Sequence, residues 1–175
     1  MLTKINDIRS ALKHDSYLSA LALALTLPDI CSQVEANTNV GNRTLYVNWV
    51  NKYLHVFRVA CEEYEEAEFT GEVCYSLRCR FLHNGTFNVS DKKRNINVDY
   101  FKLKMPSFIK NSYCFNYIKD RNADGTNTFT AIIDIKYLCE ALCDTAENFY
   151  NSFPDKSKFE DHICIVEKIN KMFFI

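Results

Sequence analysis

Tyr75-Ser76-Leu77-Arg78-Cys79-Arg80-Phe81-Leu82-His83-Asn84-Gly85 is the stretch on which the reading of this chain turns. The spacing predicts a helix that starts near Thr70, runs to Leu82 or His83, and stops at Asn84-Gly85. Thr70 suits the N-cap, and Glu72 suits the positive helix end. An Arg and a His separated by four residues therefore sit at the C-terminal end of a helix. In a straight α-helix five residues turn by about 140°, so the two side chains should not share a face.

Leu2, Ile5, Ile8 and Leu12 recur at helical spacing and predict a short amphipathic first helix. Asp15 or Ser16 can cap a second helix reaching Ala36, with Pro28 kinking or splitting it. That helix is apolar nearly all round, which suits the centre of a bundle. A third amphipathic helix carries Leu45, Tyr46, Trp49, Val50, Tyr53, Leu54 and Phe57. Beyond Gly85 the period changes from helical to alternating. Val98–Lys104, Tyr113–Lys119 and Thr128–Asp134 read as half-buried strands, with a turn at Asn122-Ala123-Asp124-Gly125. Ile135–Phe153 returns to a helical period, with Leu138, Leu142, Ala146 and Phe149 on one face. The segment from His162 to Val166 reads equally as strand or helix.

The fold class expected is an α-dominated α+β domain with a small antiparallel β insertion. Residues 1–84 form the bundle core with the motif helix, 95–134 the insertion, 135–153 a further bundle helix, and 154–175 a C-terminal segment. The length of 175 residues fits one domain, and 47% hydrophobic residues supply a core. These values exclude a disordered tail or a fibre. The longest apolar run, Tyr17 to Cys31, is interrupted by Pro28 and Asp29 and is too short to span a bilayer. No export signal is expected, so the eight cysteines are read as reduced thiols in a cytoplasmic protein. Between Arg78 and Arg121 there are ten basic residues against three acids, although the whole chain carries a net charge of −1. Such an asymmetry can draw a polyanion to one side, or it can be an ordinary solvated face.

The string Leu77-Arg78-Cys79-x-x-Leu82-His83-x-Gly85 resembles the Arg-x4–6-His motif of the HEPN superfamily. It is similar in particular to a group of bacterial proteins in which an early Leu-Pro-Asp-Ile-Cys segment is typical. That segment stands here at Leu27 to Cys31. The resemblance implies a HEPN-like helical bundle and metal-independent RNA cleavage without any cofactor. The ribose 2′-hydroxyl attacks the adjacent phosphate and leaves a 2′,3′-cyclic end. His83 would exchange the protons and Arg78 would clamp the phosphate, roles that suit these residue types. HEPN motifs commonly meet across a dimer, so a homodimer is expected. Such proteins often serve as toxins or anti-phage factors. Catalytic HEPN motifs usually carry a polar residue after the Arg; here it is Cys79, so a non-cleaving relative is the companion reading.

Arg80, Lys92, Lys93 and Arg94 are the candidate RNA contacts. The bland alternative makes Arg78 a surface ion-pair partner of Glu72 or Glu140, and His83 a cap for carbonyls near Gly85. In that case the chain is a non-catalytic homodimeric module that binds a protein partner. Two other constellations are weaker. Cys79 with His83 and Cys139 with Cys143 are i,i+4 pairs that could converge on zinc, but neither has the short Cys-x2-Cys spacing, and no metal is expected. Asp120 to Gly125 matches the start of a calcium loop, yet Ala131 stands where Glu is needed, so a hairpin turn is the better reading. Tyr100, Phe101, Tyr113, Phe115 and Tyr117 interleave with lysines; they could stack on bases, but more often such residues are one face of a sheet.

Overall fold

The computed structural model describes residues 1–36, 41–55, 69–89, 96, 98–105 and 115–162. The chain is an α-dominated α+β domain. Six helices are described: α1 (Leu2–Lys13), α2 (Tyr17–Ala24), α3 (Leu27–Glu35), α4 (Asn42–Tyr53), α5 (Gly71–Cys79) and α6 (Ile135–Ser152). A three-stranded sheet, β1 (Tyr100–Lys104), β2 (Phe115–Arg121) and β3 (Asn127–Asp134), lies between α5 and α6 in sequence.

The expected second helix is two helices. Pro28 stands in the first turn of α3, where its missing N–H leaves no bond unmade. The same proline prevents α2 from running on. Thr26 marks the break, its hydroxyl donating to Leu23 O at 2.7 Å. Taken together, Tyr17–Glu35 is long and apolar enough to cross a membrane by length and composition, longer than the run to Cys31 suggests, and half of it is buried in the fold. Asp15 turns the corner before α2 with φ +57°, a conformation that its short polar side chain tolerates. Its carboxylate accepts the Tyr17 hydroxyl at 2.7 Å, while Ser16 stands at the N-cap without a side-chain bond.

Neighbouring helices pack in chain order, α1 on α2, α3 on α4 and α4 on α5, and α6 closes the bundle across α1, α2 and α3. Ile5, Ile8, Leu21, Leu25, Leu27, Leu138 and Leu142 are completely or almost completely buried between them. At one end Trp49, Tyr53 and Phe149 meet edge-on or tilted, and Phe159 from a 3-10 turn (Lys156–His162) seals them. The expected continuation to Val166 lies outside the described residues, as does Phe57 of the third predicted helix.

The sheet is mixed, not antiparallel. Its order is β1-β3-β2, with β2 antiparallel to β3 and β1 parallel to it. The Asn122–Thr126 turn folds β2 onto β3, and β1 then takes the free edge of β3. Alternation along a strand dictates which face is buried, not which strand lies alongside, so the pattern could not specify this order. β3 takes the central place and is the strand whose Ala131 and Ile133 are fully buried. In the turn only Gly125 is left-handed, at φ +82°; Asp124 instead accepts the N–H and hydroxyl of Thr126. Phe101 and Phe115, considered above as stacking residues, are core; Tyr100 is exposed, and Tyr113 lies outside the described residues. β3 runs straight into α6, whose first turn is capped by the Asp134 carboxylate accepting Tyr137 N–H at 3.0 Å.

Candidate functional site

Thr70 caps α5 as expected, its hydroxyl accepting the N–H of Val73. The C-terminal end departs from expectation. After Cys79 the helix widens into a π turn, Arg80–Asn84, before Gly85 ends it at φ +59°. In a π turn the bonded residues are i and i+5, so five residues make about one full turn. The chain from Arg78, in the last turn of α5, to His83 passes into this wider turn, which brings the two side chains nearer to one face than an unbroken α-helix would. An Nη1 N–H of Arg78 meets Nε2 of His83 at 3.0 Å within a single chain. The expectation that the two side chains point apart is overturned, because it assumed an unbroken α-helix.

The π turn is held from beyond its end. Phe81 stacks on Phe87 at 5.8 Å. Phe87 and Val89 are pinned to the outer edge of β1, where Phe101 N–H donates to Phe87 O and Val89 N–H donates to Asp99 O. The sheet therefore anchors the chain just after the motif.

Arg78 has a second partner, Asp29 of α3. The Nε N–H donates to Asp29 Oδ2 at 2.9 Å, and the two side chains are only 19% and 27% exposed. Asp29 lies in the first turn of α3 and Arg78 in the last turn of α5, each at the helix end its charge favours. The ring of Tyr75 lies 5.8 Å from the guanidinium carbon. The two sequence motifs, Leu27–Cys31 and Leu77–Gly85, thus meet through one ion pair. Of the partners expected for Arg78, Glu72 instead pairs with Arg43 at 2.8 Å, and Glu140 lies 4.0 Å from Lys136.

Burial holds the Asp29 carboxyl above its ordinary value, and Arg78 opposes this without cancelling it. For Arg78 burial is the largest single effect and works against the charge, but the bond to Asp29, its negative charge and the neighbouring Cys79 together outweigh it, and the guanidinium holds its proton more tightly than usual. A guanidinium has no acceptor, so His83 Nε2 must accept. That is the role of the tautomer with its proton on Nδ1, and the ring is exposed to solvent. The site thus offers a solvent-facing imidazole and a braced cation in direct contact. These can exchange a proton and hold an anionic oxygen, respectively.

The other predicted site residues divide. Arg80 begins the π turn and is half-buried, its Nε shielded from solvent and without a hydrogen-bond partner. Lys92, Lys93 and Arg94 lie outside the described residues. Among the described residues no group of three His, Cys, Asp or Glu side chains converges as a metal site. Cys139 and Cys143, weighed as zinc ligands, are buried in the core instead, and burial pushes the Cys143 thiol up to about 12. Two described cavities, of about 600 and 680 Å³, lie elsewhere, one beside Tyr53 and Tyr137 and one between α2 and β1. Asp29 is the residue to which the sequence reading gives no role. Its signal was its place in the Leu27–Cys31 motif, an acid following Pro28 at a helix start. Comparison with family models, with characterised proteins and with solved structures finds no match to this chain.

Proposed function

We propose that this chain is a HEPN-like, metal-independent RNA endonuclease of the cytoplasm, with His83 and Arg78 as its working pair. The observation that carries this reading is the 3.0 Å contact between a solvent-exposed His83 and an Arg78 braced by Asp29. In the proposed reaction an RNA phosphate takes the Nη face of Arg78, which frees His83 Nε2 to accept the proton of the 2′-hydroxyl. The 2′-oxygen bonds to phosphorus, the bond to the 5′-oxygen breaks, that oxygen takes a proton from water, and the hydroxide so formed takes back the proton held by His83. The products are a 2′,3′-cyclic phosphate and a 5′-hydroxyl. Arg78 stabilises the charge that grows on the phosphate. A homodimer and a role as toxin or anti-phage factor belong to this proposal through the resemblance alone, because the pair already meets within one protomer.

One observation favours a second reading. Arg78 spends part of its charge on Asp29, as a structural arginine does. On that reading the chain is a non-cleaving HEPN-like relative, a homodimeric module for a protein partner in which Asp29, Arg78 and His83 tie α3 to the end of α5.

Incubating a mixed RNA pool with the full chain in EDTA, beside His83→Ala, separates the two. Cleavage that survives EDTA, leaves cyclic ends and is lost in His83→Ala is the expected result. No cleavage by folded wild-type chain overturns the nuclease reading in favour of the module.

A further inference from the structure

Arg78 is a long side chain with several rotatable bonds, and a lone bond to His83 would not fix its plane. The plane is fixed by two bonds that leave the guanidinium in different directions. Nε is held by Asp29 at 2.9 Å and Nη1 by His83 at 3.0 Å, with Tyr75 alongside. The Asp29 bond comes from another helix, 49 residues away in sequence. Pro28 sets where α3 begins, and this places residue 29 in the first turn, where the helix end favours a carboxylate.

We infer that Asp29 is a positioning residue for this site: by taking Arg78 Nε it aims Nη1 at His83 Nε2, and so selects the His83 tautomer whose proton is on Nδ1. The catalytic meaning of this inference rests on the ribonuclease reading; the geometry does not. The tautomer matters because it keeps a lone pair on Nε2, the form a base needs once a phosphate oxygen has taken the Arg78 N–H. It also leaves the remaining N–H groups of Arg78 for an incoming phosphate oxygen, because the carboxylate occupies only the Nε side. Without Asp29 the guanidinium is free to turn towards solvent. His83 then loses the donor that keeps its proton off Nε2.

The test is ring ¹⁵N NMR of His83 in the full chain, at a pH where the ring is neutral, for wild type, Asp29→Asn and Asp29→Glu. Expected are Nδ1–H in wild type, a majority of Nε2–H in Asp29→Asn, and a mixture in Asp29→Glu, whose carboxylate is displaced by one methylene. A wild-type tautomer in any folded variant, or Nε2–H in wild type itself, overturns the inference. Where Asp29→Asn does not fold, Asp29→Glu decides alone. RNA cleavage is the second arm. If wild type cleaves, Asp29→Asn should cleave on the order of a hundredfold more slowly, as a misplaced group does. If wild type does not cleave but the tautomer moves as expected, the positioning role stands and the nuclease reading falls. A variant that only melts earlier, with its tautomer unchanged, reduces Asp29 to a structural tie.

Discussion

Asp29 and Arg78 are charged groups that the fold has half removed from water, and the two do not share the desolvation equally. Burial raises the Asp29 carboxyl despite the cation beside it, whereas Arg78 ends more firmly protonated than usual. A carboxyl raised in the fold binds protons more tightly there than in the unfolded chain. Its ionisation therefore lowers stability as pH rises from its ordinary value through the raised one. Asp29→Asn removes that slope, so the stability of the variant relative to wild type should improve as pH rises through this window. Arg78→Met does the opposite, because it leaves a half-buried carboxylate without its cation. It should cost roughly 1–3 kcal/mol at neutral pH, a range set by partial exposure of the pair. Its Asp29 carboxyl should titrate higher still. Urea unfolding across pH, with carboxyl ¹³C shifts, measures both. A larger loss at neutral pH from Asp29→Asn than from Arg78→Met would refute the asymmetry.

The elements have glycine positions with distinct demands, and these can be told apart by substitution. Gly71 opens α5 against α4, where an added Cβ would lie 2.3 Å from the carbonyl oxygen of Val47. Two backbones meet there, and neither can swing aside as a side chain can. Gly71→Ala should therefore destabilise by at least about 1–3 kcal/mol, the scale of overpacking. Gly85 ends the π turn with open space around it but with φ at +59°. Gly85→Ala should lose only about 1 kcal/mol, the conformational term alone. Gly41, with neither crowding nor positive φ, should tolerate Ala with little change. Chemical denaturation of the three variants gives the order, and equal losses would contradict the close approach of α4 and α5.

At the scale of the whole molecule, burial divides the thiols. Cys31, Cys74, Cys139 and Cys143 are free and buried in the core, whereas Cys79 at the end of α5 is partly exposed. Burial raises all four core thiols, Cys74 and Cys143 to about 12, so they hold almost no thiolate at neutral pH. Alkylation of the native chain followed by peptide mapping should modify Cys79 first among these five. The four others should react only at the rate of unfolding. Early modification of Cys139 or Cys143 would contradict their place beneath α1 and α2.

Much of this architecture was legible from residue spacing, because burial periodicity is a local property. Ile5, Ile8 and Leu12 announced α1, Leu138, Leu142, Ala146 and Phe149 announced α6, and Thr70 announced the start of α5. Pro28 announced the break between α2 and α3, since a missing N–H acts wherever it stands. The α-dominated α+β class followed from these. Arg78 and His83 stood out as residue types suited to acid–base and anion chemistry. The partners belonged to tertiary structure. The order β1-β3-β2 depends on which edge of β3 remains open after the hairpin closes, and that is not written in alternation. The π turn that brings His83 onto Arg78 is held by Phe87 and Val89 against β1, a contact between segments that sequence spacing cannot register. Asp29 reaches Arg78 only because α3 and α5 are packed into one bundle. Spacing along a chain fixes which face of an element is apolar; it carries no information about which other element will meet it.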